Sequence, residues 1–147
     1  MYDGGAEDEH TLAANTEAFR QVTFRPRVLR GIGEIDIRST LLGKPLAFPL
    51  VLAPTGFTRI ADPAGELAVA RSAARADLPY VLSTLGTRSI EEVAEVSASR
   101  LWFQVYVWRD RGLVADMVQR AAASGYEALC LTVDTAVLVA RIRSLLR

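Results

Sequence analysis

The fold is decided by residues 101–133, which read LWFQVYVWRDRGLVADMVQRAAASGYEALCLTV. Two short apolar runs, 101–107 and 128–133, enclose a segment in which apolar residues recur at helical spacing. Asp110 stands where the N-cap of that helix is expected, and Gly125 stands where the helix ends. Strand, helix and strand in this order predict two parallel strands joined by a covering helix.

The same alternation extends toward the amino terminus. A capping box of Ser89 and Glu92 opens a helix that reaches about residue 96, and Asp62 followed by Pro63 predicts the start of another through residue 76. The predicted strands are 46–53, 80–82, 101–107 and 128–133. Four apolar strands alternating with three helices predict an α/β fold with a parallel sheet covered by helices.

A different pattern precedes the first of these strands. Residues 1–24 are acidic and then helix-like, and residues 25–45 are rich in Gly and Pro with short alternating stretches. We therefore expect residues 1–45 to form a lead-in of one helix, loops and one or two short strands. Residues 46–147 form the second predicted domain, which holds the strands and helices.

Composition excludes several classes of protein. The chain has 17 Lys and Arg against 17 Asp and Glu, so it lacks the basic excess of a nucleic-acid binder. One cysteine allows no internal disulfide or cysteine-based zinc site, which predicts a reducing, cytoplasmic compartment. We expect no membrane span, because no apolar run approaches about 20 residues, and no signal peptide at the start. The 147 residues are also too few for a complete eight-stranded α/β barrel, typically about 250.

Small and polar residues follow each predicted strand, and this places a candidate site. Ligands of parallel α/β folds bind at the carboxyl ends of the strands. Neutral donors and acceptors there suit an uncharged planar ligand better than a metal or a phosphate. In the alternative reading, Ser83 and Thr132 only begin turns and Gln104 faces outward. The strand-end residues are Pro54, Thr55, Gly56, Ser83, Thr84, Gln104, Tyr106, Thr132 and Asp134.

Other candidates have simpler interpretations. Gly31-Ile32-Gly33 lacks the third glycine of a dinucleotide fingerprint and opens no predicted helix, so it is read as a loop. His10 has no second histidine or cysteine nearby for a metal site and is read as a surface residue. Cys130 lies among leucines as a small core residue. Packing is the default for Trp102 and Trp108, and Arg109 and Arg111 are read as charges at a helix start.

The order and spacing of several short motifs closely resemble the FMN-dependent α-hydroxy-acid dehydrogenase and oxidase family, which includes glycolate oxidase, lactate oxidase and mandelate dehydrogenase. The resemblance extends over nearly the whole chain. Its carriers include Phe24-Arg25-Pro26-Arg27, Ala53-Pro54-Thr55-Gly56, Pro63-Ala64-Gly65-Glu66, Leu82-Ser83-Thr84, Phe103-Gln104-Val105-Tyr106 and Leu131-Thr132-Val133-Asp134.

The resemblance implies the first half of a (β/α)8 barrel that holds FMN at its carboxyl face and oxidises a small L-2-hydroxy acid to the 2-oxo acid. It places the Pro54-Thr55-Gly56 backbone beside the flavin ring, with Ser83, Gln104 and Thr132 hydrogen-bonded to the ring. Tyr106 would lie over the reacting carbon. Arg141 would lie near the substrate carboxylate. Leu85 would shape the pocket for the substrate side chain.

The resemblance also implies that several catalytic and binding residues of the family have no counterpart in these 147 residues. In the family, the general-base histidine, a second arginine for the substrate carboxylate, a lysine near the flavin and the phosphate-binding loops belong to the second half. His10 is the only imidazole here and lies in the wrong segment. We therefore expect the isolated chain to be inactive, and its open sheet edges to favour self-association or completion by a second half. The alternative is a non-catalytic half-barrel, either a remnant or an interaction module.

Overall fold

The structure, a computed structural model, describes residues 4–134. Residues 36–133 form one compact unit, and residues 4–35 belong with Asp134 to another. The domain boundary that the sequence predicts between residues 45 and 46 stays a prediction. In chain order the elements are α1 (His10–Gln21), β1 (Ser39–Leu41), β2 (Lys44–Leu46), a 3-10 turn (Thr58–Ile60), α2 (Glu66–Arg75), β3 (Tyr80–Ser83), α3 (Ile90–Val96), β4 (Leu101–Tyr106), α4 (Arg111–Ala123) and β5 (Ala128–Thr132).

The lead-in contains the predicted helix and a hairpin. Helix α1 lies within the helix-like stretch 1–24, as expected. Two short strands, β1 and β2, pair antiparallel in the stretch that was predicted to be rich in loops. Leu42 and Gly43 connect them with φ values of 51° and 72°, and such positive values at both turn residues suit the twist of a two-residue hairpin. Gly31 also has a positive φ and lies in a loop, as expected.

The three-stranded sheet has the order β3-β4-β5, and every pairing in it is parallel. The register aligns Ser83 with Gln104 and Gln104 with Cys130. Helices α3 and α4 connect the three strands, so the predicted parallel α/β arrangement with covering helices is confirmed.

The strand predicted over 46–53 is wrong over most of its length. Leu46 ends the hairpin strand β2, and only Leu52 reaches the sheet, through one parallel bridge to Tyr80. The Leu52 amide donates to the Pro79 carbonyl at 3.0 Å, and the Val81 amide donates to the Leu52 carbonyl at 3.0 Å. Prolines at 49 and 54 have no N–H to extend a ladder. The described sheet therefore consists of three strands and a bridge rather than four strands.

Two of the three predicted helix N-caps are confirmed, and one is wrong. The Ser89–Glu92 capping box is present in full, and the Asp110 carboxylate accepts from the amides of Gly112 and Leu113. Asp62 is not the N-cap of α2. Its carboxylate instead accepts from the Ala64 amide at 2.7 Å within a turn, so the helix starts later, with Gly65 as its N-cap. Gly65 has a φ of 54°, a value that glycine adopts without steric penalty.

The core lies between the sheet and its helices. Phe103 is 1% exposed and meets the ring of Tyr126 edge to face, with 6.2 Å between the ring centroids. The Tyr126 hydroxyl donates to the Ile90 carbonyl at 3.0 Å, which ties the start of α3 to the turn between α4 and β5. Alanines on the helices allow close approach to the strands. The core residues are Ala70, Ala73, Tyr80, Leu82, Ile90, Val93, Leu101, Phe103, Val105, Ala121 and Tyr126.

Ionic contacts fasten the amino-terminal end of the sheet to the hairpin. Glu127, just before β5, accepts from Arg100 Nε at 2.8 Å and from Lys44 Nζ at 2.6 Å. Arg100 also donates to the Leu41 carbonyl at 3.2 Å. The pKa of Glu127 is lowered by hydrogen bonds from Arg100 and then Lys44. Charge is thus concentrated at the end of the sheet opposite the predicted ligand site.

Replacement of the Asp110 cap tests the local logic of this fold. We expect Asp110→Ala to lower the free energy of unfolding by about 1 kcal/mol, because two amides in the first turn of α4 lose their acceptor. Asp110→Asn keeps an acceptor and loses less. Urea denaturation followed by circular dichroism measures both, with Glu95→Ala on the exposed face of α3 as control. Equal stability of Asp110→Ala and the wild type would contradict the assignment.

Candidate functional site

One side chain, Gln104, connects the carboxyl ends of all three strands. Its Oε1 accepts from the Ser83 hydroxyl at 3.1 Å, and its Nε2 donates to the Thr132 hydroxyl at 2.7 Å. Ser83 ends β3 and Thr132 ends β5, while Gln104 lies on β4 between them. Gln104 is 3% exposed, so the structure contradicts the alternative in which it faces outward. Of the predicted strand-end residues, Ser83, Gln104 and Thr132 therefore meet at this side chain.

Backbone contacts determine which way the Gln104 amide points. The Thr84 backbone N–H can only donate, and it lies 3.1 Å from Oε1. The oxygen must therefore face β3, so the NH₂ group faces β5 and Thr132. The Ser83 hydroxyl in turn accepts from the Leu85 amide at 3.1 Å. These contacts hold the side chains of the site in one arrangement before any ligand binds.

Thr84, which the sequence placed among the strand-end residues without a specific role, contacts Gln104. Its hydroxyl donates to the Gln104 carbonyl and accepts from the Tyr106 amide at 3.3 Å. Thr84 therefore ties the loop after β3 to the end of β4, where Tyr106 is half-buried. The sequence shows a polar residue at the end of a strand. The partners of Thr84 depend on the register between β3 and β4, which the sequence does not show.

The loop after the Leu52 bridge comes close to the loop after β3. The Phe57 amide donates to the Leu85 carbonyl at 3.0 Å. A Cβ atom at Gly56 would lie 3.0 Å from the Leu85 Cβ, so a larger residue at 56 would force the two loops apart. The structure thus brings Gly56 and Phe57 against Leu85, whose amide in turn donates to the Ser83 hydroxyl.

A second residue for which no role was predicted, Glu66, holds the loop after β3 (residues 84–87, the β3 loop) in place. Its side chain is 0% exposed, and its carboxylate accepts from the Thr87 amide and the Thr87 hydroxyl, both at 2.7 Å. Burial raises the pKa of Glu66, but the hydrogen bonds outweigh it and leave the pKa below its usual value. The carboxylate therefore stays charged and keeps the 83–87 loop in place.

The remaining candidates lie elsewhere or outside the described residues. Arg141 lies outside them, as does the start of the chain. His10 is the first residue of the exposed helix α1. Cys130 is half-buried, and burial raises the pKa of its thiol. Both tryptophans were predicted to pack in the core. Trp102 is buried, whereas Trp108 is exposed.

The chemistry of the site is neutral hydrogen bonding. Within residues 4–134, the NH₂ group of Gln104 donates one of its two hydrogens, to the Thr132 hydroxyl oxygen. The second hydrogen of that NH₂ group and the hydrogen of the Thr132 hydroxyl are therefore free to donate to a ligand. Acceptors on a flat heterocycle suit such donors. The described residues contain no group of three or more His, Cys, Asp or Glu side chains that could share a metal ion. Within the same residues, no helix has the length and apolarity of a membrane span.

Comparisons with known proteins agree on one family. A profile of the family described as "FMN-dependent dehydrogenase" matches residues 1–147. An "L-lactate oxidase" of Nostoc sp. is 49% identical over 146 residues, which are 97% of this chain and 40% of that protein. "Glycolate oxidase" of Spinacia oleracea is 45% identical over 134 residues, which are 91% of this chain and 36% of that protein.

Solved structures give the same result. An oxidised active mutant of (S)-mandelate dehydrogenase superposes with a TM-score of 0.93 at 40% sequence identity. That match covers 97% of this chain and 40% of the longer one. The chain therefore spans about two fifths of the length of the relatives that it matches.

Substitution of Glu66 tests the clamp on the β3 loop. The folded-state pKa lies below the ordinary value of 4.5, so the stability that the carboxylate contributes is present above that value. It is lost as the pH falls through the folded-state pKa. We expect Glu66→Gln to lower the free energy of unfolding at pH 7 by about 1–3 kcal/mol and to flatten its decline toward pH 3. Urea unfolding across this range measures both effects.

Thr87→Val serves as the matched variant, because it removes one of the two donors and keeps the carboxylate. We expect a smaller loss at pH 7 and a partly flattened profile. If Glu66→Gln kept the wild-type decline with pH, the clamp would not depend on a charged Glu66.

Proposed function

The chain belongs to the FMN-dependent dehydrogenase family, and on that premise we propose that it provides the flavin-ring side of an enzyme that oxidises a small L-2-hydroxy acid to the 2-oxo acid. The observation that carries the proposal is the Gln104 side chain, which joins the ends of β3, β4 and β5. The relatives support the substrate class, since their names include an L-lactate oxidase, a glycolate oxidase and an (S)-mandelate dehydrogenase.

The residues present fit FMN. Its isoalloxazine ring is flat and carries carbonyl and ring-nitrogen acceptors, which match the unused hydrogens on Gln104 and Thr132. Ser83 orients the Gln104 oxygen, and we propose that all three hold the ring. The backbone of Pro54, Thr55 and Gly56 approaches the same place with no bulky side chain at 56. When bound, FMN supplies the acceptor for the two electrons that leave the hydroxy acid.

Tyr106 is the residue that we propose next to the substrate. It ends β4, two residues beyond Gln104 on the same face of the strand, and Thr84 fixes its backbone amide. A phenol there can donate a hydrogen bond to the substrate oxygen and stabilise charge that develops on it. Arg141 remains our candidate for the substrate carboxylate, and Leu85 remains our candidate for the wall of the side-chain pocket.

The proton has no acceptor among the residues that we assign to the site. Oxidation of an alcohol carbon removes two electrons and two protons, and a base near the substrate must take the hydroxyl proton. Ser83, Thr84, Gln104 and Thr132 are not bases at neutral pH. The one histidine of the sequence is His10. We propose that the base comes from other polypeptide and that this chain alone binds the flavin ring without turnover.

A second function is favoured by the exposed side of the sheet. Leu129 and Leu131 of β5 are 52% and 60% exposed, which is more apolar surface than an isolated domain ordinarily leaves uncovered. The alternative proposal is therefore a non-catalytic part of a (β/α)8 barrel that acts as an interaction module. A cytoplasmic location, inferred from the single cysteine, stays a prediction.

Flavin titration of the purified chain tests the ring-binding residues. We expect FMN fluorescence to be quenched on binding, and Gln104→Leu to raise the dissociation constant about tenfold, the equivalent of about 1.4 kcal/mol for one lost hydrogen bond. Gln119→Leu on the exposed face of α4 is the matched control and keeps the wild-type affinity. An unchanged affinity of Gln104→Leu would remove Gln104 from the site.

A reduction assay tests the missing base. We expect FMN mixed with the chain to keep its yellow absorbance under anaerobic conditions after addition of lactate, glycolate or mandelate. The reason is that no residue of the site can accept the substrate proton. Absorbance spectra over several hours measure this. Bleaching by any one hydroxy acid would show that the chain is a complete catalyst and would overturn the proposal of inactivity.

A further inference from the structure

The hydrogen-bond ladder between β3 and β4 alternates regularly, and the alternation can be extended past the last residue pair. In parallel pairing, every second residue of a strand directs both of its backbone groups to the same neighbouring strand. On β3 these are the even-numbered residues, because the Tyr80 amide donates to the Arg100 carbonyl at 3.0 Å. The register therefore predicts a next step in which the amide of residue 84 donates to the Gln104 carbonyl and the Tyr106 amide donates to the carbonyl of residue 84.

The Thr84 hydroxyl takes both of these places instead. It donates to the Gln104 carbonyl and accepts from the Tyr106 amide at 3.3 Å. The backbone of β3 turns away at this point, since the strand ends at Ser83 and the Ser83 carbonyl accepts from the Gly86 amide at 2.9 Å. One side chain thus completes the ladder for a strand whose main chain has left it.

This exchange of partners frees the Thr84 amide for another contact. A regular ladder would bind this amide to the Gln104 backbone, whereas here it donates to the Gln104 side-chain oxygen at 3.1 Å. Because a backbone N–H can only donate, the contact keeps Oε1 toward β3 and the NH₂ group toward Thr132. The direction of the Gln104 amide therefore depends on the Thr84 hydroxyl, which releases the backbone N–H from the ladder.

Removal of the hydroxyl would give the sheet another way to pair. The backbone groups of residue 84 could then return to the regular ladder, and the Gln104 side-chain oxygen would lose its backbone donor. The described neighbours that remain at the two ends of this amide are the hydroxyls of Ser83 and Thr132, and a hydroxyl can either donate or accept. Two such neighbours do not distinguish the oxygen from the NH₂ group, so the amide would be free to turn.

We propose that Thr84 is a positioning residue of the site: its hydroxyl replaces backbone groups in the β3–β4 ladder, and this directs the Gln104 NH₂ group and holds the end of β4 at Tyr106. The inference rests on the proposed function, in which Gln104 contacts the flavin ring and Tyr106 lies next to the substrate. Thr84 itself needs no contact with either molecule, because its effect on binding passes through these two residues.

FMN titration of Thr84 variants tests the proposal. We expect Thr84→Val to raise the dissociation constant of FMN about tenfold, as for Gln104→Leu, because the NH₂ group no longer has a fixed direction. The urea midpoint of Thr84→Val should stay at the wild-type value, since valine favours strands and the regular ladder can close. Thr84→Ser keeps the hydroxyl and should keep the wild-type affinity.

The matched control is Thr16→Val in α1, which removes a hydroxyl that also donates to a backbone carbonyl, that of Leu12 at 3.1 Å. It should leave the affinity for FMN unchanged. Circular dichroism verifies that all three variants fold. An unchanged affinity of Thr84→Val would overturn the proposal. A loss of affinity that Thr84→Ser shares, or that a lower urea midpoint accompanies, would also overturn it, because a merely structural role predicts those results.

Nuclear magnetic resonance of the chain without FMN separates this inference from the proposed function. We expect a nuclear Overhauser cross-peak between the Gln104 NH₂ group and the Thr132 side chain in the wild type and in Thr84→Ser, and its loss in Thr84→Val. If the wild type bound no FMN, this pattern would still support the positioning role, while the proposed function would fail. A cross-peak retained in Thr84→Val would overturn the positioning role even if the wild type bound FMN.

Discussion

The Gln104 side chain depends on the parallel register of three strands, and the rest of the site depends on Gln104. Parallel strands point their carboxyl ends toward one edge of the sheet, so residues distant in sequence meet there. The pairing of Ser83 with Gln104 and Gln104 with Cys130 brings the amide within reach of both neighbouring strand ends. A shift of one residue in either pairing would turn a leucine, phenylalanine or valine toward the site instead. The register is held by the buried apolar face, where Leu82 and Phe103 pack against the helices.

The two ends of the sheet use opposite kinds of polar contact. At the amino-terminal end, Glu127 is paired with Arg100 and Lys44, and the partial exposure of these charges limits the energetic penalty of keeping them. At the carboxyl end the donors and acceptors are neutral. The charged Glu66 carboxylate does not take part in these contacts, because its two oxygens accept from the amide and the hydroxyl of Thr87. A neutral site with a charge held behind it binds an uncharged ring more readily than an ion.

The features that sequence predicted are those fixed by local chemistry. The Ser89–Glu92 box and the Asp110 cap satisfy amides within their own helices, and each was predicted and is present. The strand-end rule indicated Ser83, Gln104 and Thr132, which do meet in the structure, and the motif order indicated the family, which the comparisons confirm. The strand over 46–53 was wrong because strand formation requires a partner, and apolar composition does not reveal one. The partners of Glu66 and Thr84 were not predicted because they lie about 20 residues away, across contacts that only the folded chain creates.

Ring binding and proton transfer make different physical demands, and the neutral side chains at the strand ends described here suit only the first. Holding a flat heterocycle requires fixed neutral donors, whereas taking a proton from a hydroxyl group requires a base whose pKa lies near the working pH. Further parallel strands added at β5 would bring their own carboxyl ends to the same edge of the sheet as Gln104 and Thr132. A base at the proposed site would have to come from further strand ends at this edge, because the neutral side chains of Ser83, Gln104 and Thr132 do not take up a proton at neutral pH.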